Sequence, residues 1–448
     1  MAVRNNGDFS QNRSNTSVSG YKRDMKATQQ RQPNQRTERF PKQNFEQIRQ
    51  TPQKKSKKHR PRRAKKFRLF STRSGMDLTL LFLVLALVSI GLVMLFSSSY
   101  AYAYYNMNGD SYFFVRKQAF FAALGIAVMI AISYFDYHHL HRLAIPLLIG
   151  ICLVLMLMVP LKGTSLVPNR NGAFRWIELP VLGSIQPSEV AKFAVILIFA
   201  HLISINYKQM NNFRYGVLPY LLILGAVCGL VILEKHLSAT LIILFLGLIM
   251  LFIGGVPLKW FGIGIGGVAG VGALSFLFLR NSLLSYTMPR IQGWLNPLNP
   301  PDGVDTWQTR QSLYAIGSGG LLGLGLGKSR QKYLYLPEPQ NDFIFAIVCE
   351  ELGFIGATLI VLLFAALVWR GIMISLRAQD KFGMLLGIGL TMQVGLQVVL
   401  NIAVVTNLVP NTGISLPFFS YGGSSLMILL AEMGILLSIS RTSNIEKT

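Results

Sequence analysis

Apolar runs of about 18 residues or more recur along this chain. A run of that length crosses the hydrocarbon of a bilayer as a helix. In lipid only helices and closed barrels satisfy all their backbone groups. Barrel strands would alternate apolar and polar residues over about ten positions, and these runs do not alternate. The expected fold class is therefore an all-α polytopic membrane protein. Ten transmembrane helices are predicted, at 77–98, 118–135, 143–160, 187–205, 217–233, 238–254, 259–279, 342–369, 383–406 and 421–440. Composition agrees: 14% of the 448 residues are charged, where a soluble domain carries about 25%.

The net charge of +24 is unevenly spread. Residues 1–75 hold 21 Lys and Arg against the four acids Asp8, Asp24, Glu38 and Glu46. Polar and poor in aliphatics, they cannot bury a core and are expected to be a disordered tail. The densest stretch, "KKSKKHRPRRAKKFR" (Lys54–Arg68), directly precedes the first apolar run. That position favours contact with anionic lipid headgroups on the cytoplasmic side over nucleic acid. The first run begins too late and is too long for a signal peptide. The expected organisation is a cytoplasmic tail over 1–75 and a ten-helix membrane domain over 76–441. A large extracytoplasmic loop at 280–341, between helices 7 and 8, and a short cytoplasmic C-terminus at 442–448 complete it. The short loops with Arg142, Lys208, Lys259 and Arg370 then fall inside, as the positive-inside rule asks.

The 280–341 loop falls outside yet carries Arg280, Arg290, Arg310, Lys328, Arg330 and Lys332. Long loops translocate largely regardless of charge, so these cations mark a candidate anion site. Cys152, Cys228 and Cys349 lie in apolar runs and read as packing residues without metal spacing. The four-residue spacing of Gly262, Gly266 and Gly270 reads as close helix packing rather than a dimer face. No internal repeat appears, which weighs against a transporter built from inverted halves.

Three segments bring polar groups to one membrane face. In "NGAFRWIELPVLGSIQPSEVAKF" (Asn171–Phe193), Arg175 and Trp176 suit an interfacial loop and Pro187 suits the first turn of a helix capped by Gln186 or Ser188. Glu189 and Lys192 then share a helix face, either as a self-neutralising pair or as a site where Lys192 meets an anion. The second segment, "TWQTRQSLYAIGSGGLLGLGLGKSRQKYLYLPEPQNDF", joins Gln308 and Gln311 to dense glycines, three cations and Glu338. As a bare pattern it reads as a flexible re-entrant loop. It leads into Asp342, expected at a helix start, where a carboxylate is a cap or is held ionised. Glu350 and Glu351 follow in the apolar run. By helical angle, Glu350 stays near the face of Asp342, whereas Glu351 points away and needs its own partner. The third, "NLVPNTGISLPFFSYGGSSL" (Asn407–Leu426), cannot be one helix because of Pro410, Gly413 and Pro417. Non-helical backbone at that depth must be buried in protein or line a cavity. Ser420, Tyr421, Gly422, Gly423 and Ser424 offer hydrogen bonds and close approach there, and Gln397 and Asn401 add amides on the preceding span.

Together, "NGAFRWIELP…QPSEVAKF", "RIQGWLNP…QNDFIFAIVCEELGFIGA" and "LVPNTGISLPFFSYGGSSL" resemble the SEDS family (shape, elongation, division and sporulation) of bacterial cell-wall proteins. The resemblance covers about residues 75–440, and the last two motifs are nearer its division and sporulation branches than its elongation branch. It implies a ten-span bundle that polymerises lipid II into peptidoglycan glycan strands at the outer face of the cytoplasmic membrane. It places the family's essential aspartate on Asp342, and the Glu and Lys of its "QPSExAK" motif on Glu189 and Lys192. The chain departs from the pattern at Gln340 and Asn341, where His-Thr is common, and at Lys235 and His236, where Pro-Asp is common.

The resemblance also implies septal localisation, both termini inside, and work with a class B penicillin-binding transpeptidase and other division proteins. A divalent cation, Mg or Mn, is its one cofactor, and nucleic acid is not a partner. Asp342 is then expected to be the general base of an inverting transfer. Arg175, Lys192, Arg290 or Lys332 would supply positive charge to the departing pyrophosphate, or Lys192 would instead hold Asp342 ionised. The rival readings are a lipid II flippase and a scaffold that activates the transpeptidase.

Overall fold

In lipid every backbone group must find its partner within the protein, so apolar runs close into helices. The computed structural model describes residues 75–169, 174–179, 183–264, 291–301 and 303–443. Its elements are α1 (Leu78–Asn106), α2 (Phe113–Tyr134), α3 (Leu140–Met158), a hairpin of β1 (Ile177–Leu179) and β2 (Gly183–Ile185), and α4 (Pro187–Asn206). There follow α5 (Leu218–Leu233), α6 (Leu237–Ile253), α7 (Trp307–Gly319), α8 (Ile344–Leu376), α9 (Lys381–Val405) and α10 (Gly423–Thr442). Eight helices among the described residues are long and apolar enough to cross a membrane: α1 to α5, with the fifth counted from the helical turn that begins at Phe213, and α8 to α10. The chain is thus a helical integral membrane protein.

The sixth predicted span is α6, only 17 residues long. The seventh begins as helix at 258–264 and then leaves the described residues. The predicted tail, all but Gly75, and Arg280 and Arg290 also lie outside them. Two features of the interhelical segments were not anticipated. One is α7, inside the long loop; the other is the β hairpin, with Ile177 paired to Ile185.

Helix ends follow local chemistry. Asp77 caps α1 by accepting from the Leu80 amide at 2.9 Å, and pairs with Arg370 of α8 at 2.7 Å. Pro187 occupies the first turn of α4 as expected, although neither Gln186 nor Ser188 caps it by side chain. α2 packs along α10, α4 lies among α3, α6 and α9, and α8 lies against α1, α7 and α9. The helices α4, α9 and α10 are the most enclosed of the long spans.

α8 is broken at Gly353, whose φ of +67° lies in the left-handed region. The freed groups are taken up by the glycine-rich segment after α7. Leu324 and Gly325 amides donate to the Glu350 and Glu351 carbonyls, both at 3.0 Å, and the Phe354 amide donates to the Gly320 carbonyl at 2.9 Å. A Cβ on Gly323 would stand 2.2 Å from the Glu351 carbonyl oxygen, at a φ of +79°. The glycines therefore serve backbone-to-backbone packing, and the segment expected to be a flexible loop is built into the bundle.

This packing also accounts for the two acids deeper in α8. Glu350 accepts from the Arg330 amide at 2.9 Å and from the Ser329 hydroxyl. Glu351 accepts from Ser97 at 2.7 Å and pairs with Lys332 at 3.0 Å. Lys332 is only 3% exposed and also donates to Ser97 and to the Gly327 carbonyl. Two expectations are thereby corrected. Lys332 is consumed by Glu351 rather than offered to an anion. Glu350 is held by the 329–331 backbone rather than lining the surroundings of Asp342.

Candidate functional site

The remaining polar residues converge where α4, α6, α8 and α10 begin. Asp342 is not the first residue of a helix: it sits in the turn before α8, whose cap position is Phe343 and carries no side-chain cap bond. The turn is fixed from α9, because Asn401 donates both to the Asp342 carbonyl at 2.8 Å and to the Ile414 carbonyl at 2.6 Å. One amide thus joins the Asp342 turn to the non-helical segment before α10. Gly413, at a φ of +69°, leaves room for the carboxylate: a Cβ there would come 2.9 Å from Asp342 Oδ2.

Burial, with Glu338 nearby, pushes the Asp342 carboxyl up to about 6, against the opposing pull of the Arg175 guanidinium. Burial in turn lowers the Arg175 pKa, and its Nε is enclosed without a hydrogen-bond partner among the described residues. Trp176 follows it, half-buried, just before β1. Glu338 has a φ of +43° and accepts from the Asn341 amide nitrogen side chain at 2.8 Å.

On α4, Lys192 pairs with Glu189 at 2.8 Å, the i,i+3 pair read from the sequence. Lys192 is 1% exposed and Glu189 14%, so the acid is the wetter partner. His236, at the cap of α6, lies 3.1 Å from the Ser188 hydroxyl. Burial together with Arg175 and Lys192 pushes its imidazole down to about 3, so it is neutral at ordinary pH. Ser238 donates to the Thr412 carbonyl, tying α6 to the same non-helical segment. Sequence reasoning left His236 without a role, and Gly413 was read only as a helix breaker. The signal for His236 was its place in a motif where the resembled family has an acid.

The third segment is held by α2. Gln118 donates to the Ser420 carbonyl at 3.2 Å and accepts from the Gly422 amide at 3.1 Å. Tyr421 stacks edge-on against Phe114 at 4.9 Å, and its amide donates to the Gln340 carbonyl at 2.8 Å. Ser420 accepts from the Leu416 amide, and Ser424 donates to the Ser184 carbonyl of β2. Gly423 lies against the Phe121 ring, with no space for a side chain. From α7, Gln308 accepts from Asn411 at 3.1 Å, bringing that helix to the segment that carries Gly413. Gln311 and Gln397 are buried in their helices.

Structure thus brings Asp342, Arg175, Glu338, Glu189, Lys192 and His236 to one neighbourhood and takes Lys332 and Glu350 out of it. The donor set does not suit a divalent cation held by protein alone. Glu189 is spent on Lys192, position 236 offers a ring nitrogen where a hard cation takes oxygen, and a guanidinium acts on Asp342. Among the described residues no three His, Cys, Asp or Glu side chains are placed to share an ion. Chemically the site offers a buried, partly ionised carboxylate beside fixed positive charge.

The family model for cell cycle proteins of the FtsW, RodA and SpoVE type matches residues 78–445. The chain is 42% identical over 335 residues to the stage V sporulation protein E of Bacillus subtilis, spanning 75% of this chain and 88% of that one. It is 40% identical over 365 residues to the probable peptidoglycan glycosyltransferase FtsW of Trichlorobacter lovleyi, spanning 81% and 93%. Among solved structures, a chain from work on the structural coordination of polymerization and crosslinking by a peptidoglycan synthase complex superposes with a TM-score of 0.67. That match is at 26% identity, over 83% of this chain and 99% of the other. The rod shape determining protein RodA of Thermus thermophilus superposes with a TM-score of 0.57 at 27% identity, with the same coverage.

Proposed function

The chain belongs to the FtsW, RodA and SpoVE family, and from that premise we propose its function: it is a peptidoglycan glycosyltransferase that polymerises lipid II. The observation that carries the mechanism is the setting of Asp342. A general base works best with a pKa near the operating pH, and burial against Arg175 holds this carboxyl at about 6. Asp342 Oδ takes the proton of the attacking sugar hydroxyl. The hydroxyl oxygen bonds to the anomeric carbon from the side opposite the lipid pyrophosphate, which leaves with the electrons of the broken C–O bond, so the centre inverts. Arg175 faces the charge that develops, since its Nε has no hydrogen-bond partner among the described residues. Lys192 adds to it from the Glu189 pair, and preorganised cations in an enclosed site are worth more than cations in water. His236, kept neutral, adds no competing charge and spaces α6 from α4.

The proposal extends to placement and partners. Asp342 works at the outer membrane face, with both termini inside and the chain at the division septum or in its sporulation counterpart. A class B penicillin-binding transpeptidase crosslinks the strands it makes. The likeness to a chain of a synthase complex that couples polymerization to crosslinking supports the pairing. The direct test is a glycan ladder made from lipid II by the purified chain in detergent, with and without that partner. No ladder in either arm would sink the reading.

The acid limb of the rate profile tests the site itself. An acid whose pKa is raised loses its base form as pH falls through that value, so activity should drop below about pH 6. Arg175 opposes the rise, so Arg175→Met should move the limb to higher pH as well as lower the plateau. An unmoved limb would mean that Arg175 does not act on Asp342.

A further inference from the structure

The first turn of α7 carries aromatic and polar groups that the transfer described above does not use. Trp307 opens the helix, its backbone amide held by the Asp305 carboxylate at 2.9 Å. Its indole N–H donates to the Tyr335 carbonyl at 2.8 Å. A tryptophan that only anchors a helix at the membrane boundary keeps its ring in lipid and its N–H toward the wet side. In Trp307 the N–H is turned inward and spent, yet the residue is 43% exposed. What it offers outward is ring surface. The Arg310 guanidinium lies 5.1 Å from the ring centroid, and Tyr335, whose carbonyl holds the indole, is itself exposed.

A short polar chain ties this ring to Asp342. Gln308, next to Trp307, accepts from the Asn411 side-chain amide at 3.1 Å. Asn411 Oδ1 accepts in turn from the Gly413 backbone amide at 3.2 Å. Gly413 is the residue that lies against the Asp342 carboxylate. On the other side the segment from Tyr335 runs on to Asp342, pinned by Leu336, which is wholly buried. A pyranose ring shows C–H groups on its faces and hydroxyls around its edge. It therefore suits an aromatic surface with a few placed N–H donors at the rim. Arg310, Gln308 and Asn411 are such donors.

We propose that Trp307 is a saccharide platform: it stacks on an N-acetylhexosamine ring of the glycan strand, beyond the two sugars that react, while Arg310, Gln308 and Asn411 bond to the hydroxyl and acetamido edge. The inference rests on the glycosyltransferase reading for the identity of the strand and deepens it. It gives the sugar rings, rather than the lipid pyrophosphate, a holding point of their own. A strand held there between additions stays on the protein longer, so Trp307 governs strand length.

The probe is the lipid-free tetrasaccharide of alternating N-acetylglucosamine and N-acetylmuramic acid, which carries neither pyrophosphate nor isoprenoid. Saturation-transfer NMR on the full-length chain in detergent reads its contact with the protein. Wild type and Asp342→Asn should bind it alike, because holding a sugar needs no base, so a failed base assignment leaves this arm standing. Trp307→Ala should weaken binding about tenfold, the upper worth of one aromatic contact, and should make shorter strands from lipid II. Trp307→Phe keeps a ring but cannot donate to Tyr335, and should hold binding and strand length near wild type. If Trp307→Ala does not fold, Trp307→Leu, which fills the space without an aromatic face, carries the comparison. A wild-type chain that forms ladders yet shows no transfer to the tetrasaccharide overturns the inference and spares the glycosyltransferase reading. Undiminished binding without the aromatic ring overturns it too. So does a Phe variant as poor as Ala, since Trp307 would then only brace the Tyr335 segment.

Discussion

Asp342→Asn is expected to end ladder formation from lipid II while the chain folds as well as wild type, or better. Asn keeps the shape and the space left by Gly413 but cannot accept the hydroxyl proton. Loss of a general base lowers rate by about 10²–10⁴-fold. The stability side follows from linkage. An acid whose folded-state pKa lies above its unfolded value favours folding below the unfolded pKa, and that gain is lost as pH rises through the folded value. Asp342 is raised from 3.8 to about 6, so at neutral pH its charge weakens the fold. Asn should therefore melt at or above wild type near pH 7, and the difference should close as pH falls toward 4. Polymerisation at the wild-type rate would remove Asp342 from the mechanism. A collapsed fold would remove the linkage account instead.

Lys332→Met should behave in the opposite way, costing stability first. It leaves Glu351, 1% exposed, without its cation. Breaking a buried pair from one side costs about 3–5 kcal/mol, because the remaining charge is uncompensated. Ser97 and the Ser329 amide still bond the carboxylate but cannot neutralise it. Adding Glu351→Gln in the same chain removes the orphan charge and should return much of the loss. The measurement is unfolding in detergent for the two single variants and the double one. If Lys332→Met melts as wild type yet polymerises poorly, Lys332 acts on substrate after all.

These two residues show what the sequence could and could not convey. Asp342 was legible because its motif and its place at the end of an apolar run both pointed to it. Glu189 and Lys192 were legible because helical spacing alone makes them neighbours. Lys332 was misassigned because a basic loop beside acids reads the same whether its cations are free or spent. Glu350 was misassigned because its angle from Asp342 was counted along a helix that does not extend to Asp342. The chain enters α8 only at Ile344. α7 was hidden by its polarity and glycines, and the three-residue strands of the hairpin are too short for alternation to register.

The break at Gly353 has one more implication, for how the chain can change length. Surface connections ordinarily accept insertions and deletions because their ends need only meet. The stretch from Gly319 to Lys332 is tied down almost stepwise: to the backbone of α8 at Gly320, Leu324 and Gly325, and to its acids at Ser329, Arg330 and Lys332. One residue more or fewer between the first anchor and the last would put every later group out of step. This stretch is counted like paired strands: its number of residues is fixed, and so are the glycine at 323 and the lysine at 332.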